Sequence, residues 1–208
     1  MPHTNIIDNL KILKLHGMAE AFTDLNQRQA ASKLSPLSHQ WLEDLIKAEI
    51  ADRKVRTINY QMGVAKFPVH RNIDRFDFEA SGVEENRIRD LCSTQFITEK
   101  CNLIFVGGTG TGKSHLSIAL AAQAVHNGQK ARFYNVVDLV NQLEQEKITG
   151  KSLGLVNRLK NIDVVVLDEL GYLPFSKAGG ALLFHLISQL YERLSLIITT
   201  NLSFSEWA

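Results

Sequence analysis

Gly107-Gly108-Thr109-Gly110-Thr111-Gly112-Lys113-Ser114 fills every fixed position of the phosphate-binding pattern G-x-x-x-x-G-K-[ST]. The apolar run Leu103-Ile104-Phe105-Val106 precedes it, and a helix-like run over residues 115–125 follows. Strand, loop and helix in that order are the setting the pattern needs. Polyphosphate oxygens are met by backbone N–H groups at a helix N-terminus, where partial positive charge gathers. Glycines allow the close approach and the left-handed backbone that such a loop requires. Lys113 then reaches the β- and γ-phosphates, and the Ser114 hydroxyl is placed to ligate Mg²⁺. A Gly-rich turn that merely carries a lysine is the alternative, and the flanking strand and helix argue against it. The sequence therefore reads as nucleotide-binding.

Working outward, the C-terminal half alternates apolar strands with helices. Arg132-Phe133-Tyr134-Asn135-Val136 reads as a second strand, with Asp138 as a cap for a helix carrying Leu139 and Leu143. Residues 150–159 form a short helix bearing Leu153, Val156 and Leu159. Ile162-Asp163-Val164-Val165-Val166-Leu167 is almost wholly apolar, as in a strand buried on both faces. Residues 171–174 form a loop, and residues 180–193 a helix with Leu182, Leu183, Leu186, Ile187 and Leu190 inward. Ser195-Leu196-Ile197-Ile198-Thr199-Thr200-Asn201 is a last buried strand, placed beside the phosphate-loop strand. The pattern predicts a parallel α/β sheet flanked by helices.

Upstream, residues 5–62 show only helical spacing. Ile6, Leu10 and Leu13 share a face, and His16-Gly17 marks a break before Met18, Phe22 and Leu25. Ser35-Pro36 opens a helix with Trp41, Leu42, Leu45, Ile46 and Ile50, whose basic end is Asp52-Arg53-Lys54-Val55-Arg56. The expected organisation is a small helical, partner-binding domain over 1–66 and a nucleotide-binding core over 67–208. Residues 63–77 form the junction, where Phe67-Pro68 breaks the helix. Phe76 and Phe78 are expected to dock on the core, either near the base of a bound nucleotide or as plain packing. Ser81-Gly82-Val83-Glu84 has the capping-box form, opening a helix with Ile88, Leu91, Cys92 and Phe96 on one face.

Bulk composition restrains function less. Lys and Arg number 23 against 22 Asp and Glu, so the net charge of +1 gives no global pull towards nucleic acid. The two cysteines, Cys92 and Cys101, have no metal-binding spacing and read as small buried hydrophobes. No apolar run approaches the roughly 18 residues of a membrane span, which points to the cytoplasm and to no membrane partner.

The chemical residues gather at the carboxyl ends of the expected strands, where ligands bind in such sheets. Asp168 follows an apolar strand and suits the Mg²⁺ site opposite Ser114. Glu169, next in sequence, is the candidate base for the attacking water. Asn201 is placed to donate to the γ-phosphate and to accept from that water, and Asn135 is a weaker candidate at the second strand's end. Read without the phosphate loop, Asp-Glu after a strand would be a helix cap and Asn201 a turn former.

These motifs carry a resemblance over nearly the whole chain. Gly107 to Leu116, the string Val165-Val166-Leu167-Asp168-Glu169-Leu170-Gly171-Tyr172-Leu173-Pro174, and Thr199-Thr200-Asn201-Leu202 leading to Phe204-Ser205-Glu206-Trp207 are similar to the IstB-type transposition helper ATPases of insertion sequences. That family is a branch of the AAA+ group of P-loop NTPases, close to the DnaC-type helicase loaders. The resemblance implies an ATPase using ATP and Mg²⁺. Its members self-assemble on duplex DNA with little sequence preference, then recruit and regulate a partner transposase. It assigns Gly107, Gly108, Thr109, Gly110, Thr111, Gly112, Lys113, Ser114 and His115 to nucleotide binding. Ser114 and Asp168 fall to the metal, and Glu169, Lys113 and Asn201 to catalysis. The family's further helix with an arginine finger and a second sensor arginine has no counterpart up to Ala208. The expectation is a core truncated after the strand ending at Asn201, without the C-terminal lid, and with the sheet's fifth strand absent or supplied from the N-terminal side. Arg193 is weighed as a finger and as a structural partner of Glu192. Arg53, Lys54, Arg56, Arg158 and Lys160 are the candidate DNA contacts. A DnaC-like helicase loader and an ATP-binding scaffold without turnover are the alternatives.

Overall fold

Helices and strands follow one another in a computed structural model that describes residues 2–30, 39–150, 154–171 and 176–203. The expectations for Ser35-Pro36, Leu153, Tyr172-Leu173-Pro174 and Phe204-Ser205-Glu206-Trp207 lie outside the described residues, as do the side chains of Trp41 and Leu42. The chain divides into two compact units, Met1–Tyr60 and Gln61–Ala208.

In the first unit, α1 (Pro2–Ile12) packs on α2 (His16–Ala30), and α3 (His39–Ala65) follows. The helix does break ahead of Met18, but at residues 13–15 between α1 and α2, and Gly17 itself is helical. It lies inside α2, where a Cβ would come 2.5 Å from the Ala48 carbonyl oxygen, so glycine is what lets α2 approach α3. Phe22, Ala19 and Leu45 are buried. Ile6, Leu13, Ile46 and Ile50, read from spacing as inward-facing, are instead exposed. The inward place between Leu45 and the next turn goes to Glu49, only 6% exposed, which accepts from Met18 N–H at 3.2 Å and from Arg53 Nε at 2.6 Å. The charged cluster at residues 52–56 is likewise not a helix end. Pairs at i,i+4 (Arg53–Glu49 and Arg56–Asp52) carry α3 through it, and the helix continues to Ala65.

The second unit is a parallel sheet of four strands among the described residues: β1 (Leu103–Val106), β2 (Ala131–Asn135), β3 (Val164–Leu170) and β4 (Ser195–Thr200), in spatial order β1-β4-β3-β2. β4 lies beside the phosphate-loop strand as expected, with Leu103 opposite Ile197 and Val106 opposite Thr200. Every residue of β4 is buried, the signature of a parallel strand covered on both faces. One face of the sheet meets α7 (Lys113–His126), nine of whose residues are buried. The other carries the main apolar cluster, where Val165, Leu167, Leu196 and Ile198 meet α8 (Val136–Ile148), α9 (Gly154–Leu159) and α10 (Lys177–Leu190). No fifth strand is present among the described residues. β1 is an edge, with Ile104 and Val106 about two-fifths exposed.

Before the sheet come three short helices, α4 (Phe78–Ser81), α5 (Glu85–Leu91) and α6 (Gln95–Thr98). The capping box at Ser81 does not form. Asp77 caps α4 by accepting from Ala80 N–H at 2.9 Å, Ser81 closes that helix, and Glu84 stands at the α5 N-cap without a side-chain bond. Gly82, at φ 66°, supplies the left-handed residue that separates the two. Cys92 is half-buried but Cys101 is exposed, so only the first approaches the buried place expected of both. Burial pushes the Cys92 thiol up. The α8 cap is Asn135 rather than Asp138, which sits in the first turn. Arg193 is exposed and, among the described residues, makes no ion pair with Glu192. No described helix is long and apolar enough to cross a membrane.

Candidate nucleotide-binding site

β1 delivers the chain to the phosphate loop, and Gly107 N–H closes the ladder on the Thr200 carbonyl at 3.3 Å. Gly110 and Gly112 take φ of 80° and 85°, a region that side chains strongly disfavour, so two of the motif's glycines are required by the backbone itself. Lys113 starts α7, and its Nζ donates to the carbonyls of Gly107 (2.8 Å) and Gly108 (2.6 Å), arching over the loop. Burial pushes its ammonium below the ordinary range, opposed by the carboxylates of Asp168 and Glu169. Thr111 Oγ1 ties the loop to Gly108 O at 2.9 Å.

Across from the loop, β3 carries a bulge. Leu167 pairs with Ile198 and Leu170 with Thr200, so Asp168 and Glu169 together face the single residue Thr199. In a regular strand these neighbours would point to opposite faces. Glu169 instead takes φ 65°, an uncommon and strained conformation for a residue with a Cβ, and both carboxylates stay at the site. Asp168, 7% exposed, accepts from Ser114 Oγ at 2.8 Å and from Thr199 Oγ1 at 2.6 Å. The same Thr199 oxygen accepts from Glu169 N–H at 2.9 Å. Glu169 Oε2 accepts from Asn135 Nδ2 at 2.7 Å, while Asn135 Oδ1 accepts from Val137 N–H and caps α8.

A cavity of about 460 Å³ opens between these parts. Thr109, Gly110, Gly112, Lys113, Ser114 and His115 line its loop side, and Glu169, Thr199 and Asn201 line the strand ends. The sequence-assigned metal and catalytic residues thus meet at one place, with Asp168 just behind Ser114. Two residues were not assigned from sequence. Thr199 is one of three buried hydroxyls in β4, with Ser195 and Thr200, and a buried polar group of that kind needs a partner, which is the signal that marks it. Arg71 comes from the linker before the sheet and lines the same cavity, with no motif to announce it.

The linker docks where Phe76 and Phe78 were expected to. The Phe76 ring sits edge-on to His115 at 5.2 Å and to Phe78 at 4.9 Å. It also covers Gly112, where a Cβ would meet a ring carbon at 2.4 Å. Arg75, Phe76 and Asp77 line an adjoining cavity of about 450 Å³ with Thr111, Gly112 and His115.

Among the candidate DNA cations, Arg53 and Arg56 are engaged by Glu49 and Asp52, and Arg158 is held by Glu146. Lys54 and Lys160 are exposed and, among the described residues, unpaired.

A glycine loop closing on a helix, a carboxylate bonded to the loop's serine and a second carboxylate on a bulge beside it define a P-loop nucleotide-binding protein of AAA+ type. Residues 8–208 match the family of IstB-like ATP binding proteins, and the chain belongs to that family. Over 94% of its length it is 35% identical to a protein described as an ATP-binding protein of insertion sequence IS5376 from Geobacillus stearothermophilus, covering 77% of that relative. It is 30% identical, over 99% of its length and 82% of the relative's, to a counterpart in insertion sequence IS232 of Bacillus thuringiensis subsp. berliner. Among solved structures, the DnaC helicase loader superposes with a TM-score of 0.55 at 32% identity, over 64% of this chain and 77% of that one.

Proposed function

We propose that the protein is a cytoplasmic ATPase that assists transposition: it binds ATP, self-associates on duplex DNA and there recruits and regulates a partner transposase. The observation that carries the chemical half is the 2.8 Å bond between Ser114 Oγ and Asp168 Oδ1 beneath the phosphate loop. These are hard oxygen donors of the kind Mg²⁺ takes alongside phosphate oxygens and water. The described residues contain no cluster of three or more His, Cys, Asp or Glu that could hold a metal. Two protein oxygens fit an ion that arrives with a polyphosphate. Mg²⁺ bound at Ser114 and Asp168 supplies charge neutralisation and orientation to the β- and γ-phosphates.

The protein's own groups do the rest. Loop N–H groups and Lys113 hold the phosphates, with Lys113 leaving its two carbonyl partners to do so. Glu169, held at the cavity wall by Asn135, orients and deprotonates water once that bond is given up. Asn201 sits at the adjoining strand end to position the same water. The cavity beside Phe76 takes the base. The transposition half of the proposal is supported by the insertion-sequence relatives; the likeness to the helicase loader supports the alternative of a loader acting on single-stranded DNA, and an ATP-binding scaffold without turnover is the third reading.

An ATPase assay beside filter binding to duplex and single-stranded DNA, with and without ATP, separates these. Duplex preference with turnover is the expected result. Single-strand preference would transfer the protein to the loader class, and binding without turnover would make it a scaffold. Lys113→Ala should abolish nucleotide binding. Glu169→Gln should retain binding and lose turnover, and full activity in that variant would remove Glu169 from the role of base.

A further inference from the structure

We propose that Arg71 is a further phosphate-binding residue, delivered by the linker and directed at the terminal phosphate of the nucleotide bound in its own chain. The inference rests on the nucleotide-binding reading above and extends it to a residue outside the loop, the bulged strand and the β4 end.

The linker is fixed to the loop helix immediately beside Arg71. The Asn72 carbonyl accepts from His115 Nε2 at 2.9 Å, which requires the proton on that nitrogen. Asn72 Oδ1 accepts from Asp74 N–H at 3.1 Å and caps the single turn Ile73–Arg75, whose Ile73 is buried. Phe76 then lies on Gly112 and His115. A backbone held at residues 72, 73 and 76 presents Arg71 at the cavity from a fixed origin, leaving mainly side-chain rotation to be ordered by a ligand. That lowers the entropy lost when the guanidinium is captured.

Charge points the same way. Arg89 is paired with Glu85 and Asp74, Arg158 with Glu146, and Arg53 with Glu49. Arg71, by contrast, has no hydrogen bond or ion pair among the described residues, although Glu169 lines the same cavity. Among the described residues, Lys113 is the only other Lys or Arg of that lining. A nucleoside triphosphate with one Mg²⁺ remains anionic beyond what one ammonium neutralises, and a guanidinium binds phosphate oxygens in pairs. The choice of the terminal phosphate follows from position. Arg71 shares its cavity with Glu169 and Asn201, the groups of the hydrolytic end, whereas Arg75, Phe76 and Asp77 line the adjoining cavity.

The test is calorimetric titration of the full chain with Mg-ATPγS and with Mg-ADP, for the wild type, Arg71→Ala, Arg71→Lys and Lys113→Ala. Loss of a charge-assisted bond should weaken ATPγS binding by about tenfold or more in Arg71→Ala. ADP binding should change by less than about twofold, and Arg71→Lys should fall between wild type and alanine. Arg71 is exposed and, among the described residues, unpaired, so a thermal melt should show all Arg71 variants folded. Equal loss for both nucleotides, or no loss for ATPγS, overturns the inference and leaves the nucleotide-binding reading intact. A wild type that binds neither nucleotide, or a Lys113→Ala that binds both normally, overturns the parent reading and the inference with it.

Discussion

Thr199 Oγ1 donates to Asp168 and accepts from Glu169 N–H, so one hydroxyl fixes the two carboxylates against each other. Valine has the same shape without the oxygen. Thr199→Val should therefore leave Glu169 N–H without a partner on a strained residue, at a cost of about 1–3 kcal/mol. Turnover should fall further than nucleotide affinity, and Thr199→Ser should restore both; denaturant melts beside steady-state kinetics read the two effects separately. Asn135 also serves two masters, capping α8 through Oδ1 and holding Glu169 through Nδ2. Serine keeps the cap but has no amide. Asn135→Ala should lose about 1 kcal/mol of stability and Asn135→Ser far less, while both release Glu169. If the Glu169 contact governs turnover, the two variants will share one changed rate despite different melting points. A rate that follows stability instead would reduce Asn135 to a cap.

Elements built by long-range burial were legible in the sequence, and those settled by side-chain hydrogen bonds were not. The four strands and α7, α8 and α10 announce themselves because apolar runs and helical spacing record which faces are covered. The P-loop announces itself because its backbone demands glycine at residues 110 and 112. The bulge at Asp168-Glu169 left no apolar trace, since one added residue changes register but not composition. It could be inferred only from the need to bring adjacent carboxylates to one site. In the first unit, spacing placed Ile46 and Ile50 inward, but Glu49 takes that place because Arg53 and Met18 N–H satisfy it. Gly17 read as a breaker because its reason, the Ala48 carbonyl of another helix, is distant in sequence. Gly112 shows how element and site are joined. It caps α7 in a left-handed conformation while Phe76 of the linker rests on it. Gly112→Ala should abolish nucleotide binding and destabilise the unit by more than the roughly 1 kcal/mol of the backbone conformation alone, because the ring must also move. Adding Phe76→Ala should relieve the clash but not the backbone strain, so the double variant should melt higher than Gly112→Ala if the ring is the obstacle.

Over the whole molecule the charges nearly cancel, +23 against −22 before histidine, and several arginines are occupied by carboxylates of their own unit. Among the described residues, two of the carboxylates that hold arginines lie largely out of water, one in each unit. Glu49, in the first, has a side chain only 7% exposed. Burial would raise its pKa, but hydrogen bonds from Arg53 and Met18 N–H, with the charges of Arg53 and Arg56, prevail and hold it below the ordinary 4.5. Glu146, in the second, is also pushed up by burial. Hydrogen bonds from Gln142, Arg158 and Leu155 N–H, with the Arg158 charge, outweigh that and hold it below the ordinary 4.5 as well. A carboxyl with a lowered folded-state pKa binds protons more readily once unfolded. Its contribution to stability is therefore complete above the unfolded value of about 4.5 and disappears as the pH falls through the lower folded value. Melts followed from neutral pH to about pH 3 should be level at first and then decline through that window. Glu49→Gln and Glu146→Gln should each lower the neutral plateau, since an arginine loses its charged partner, and each should flatten the acid decline. With both substitutions the decline should be flattest, because the sites lie in different units and share no partner. An acid limb as steep in the double variant as in the wild type would place the acid sensitivity elsewhere, in carboxylates other than Glu49 and Glu146.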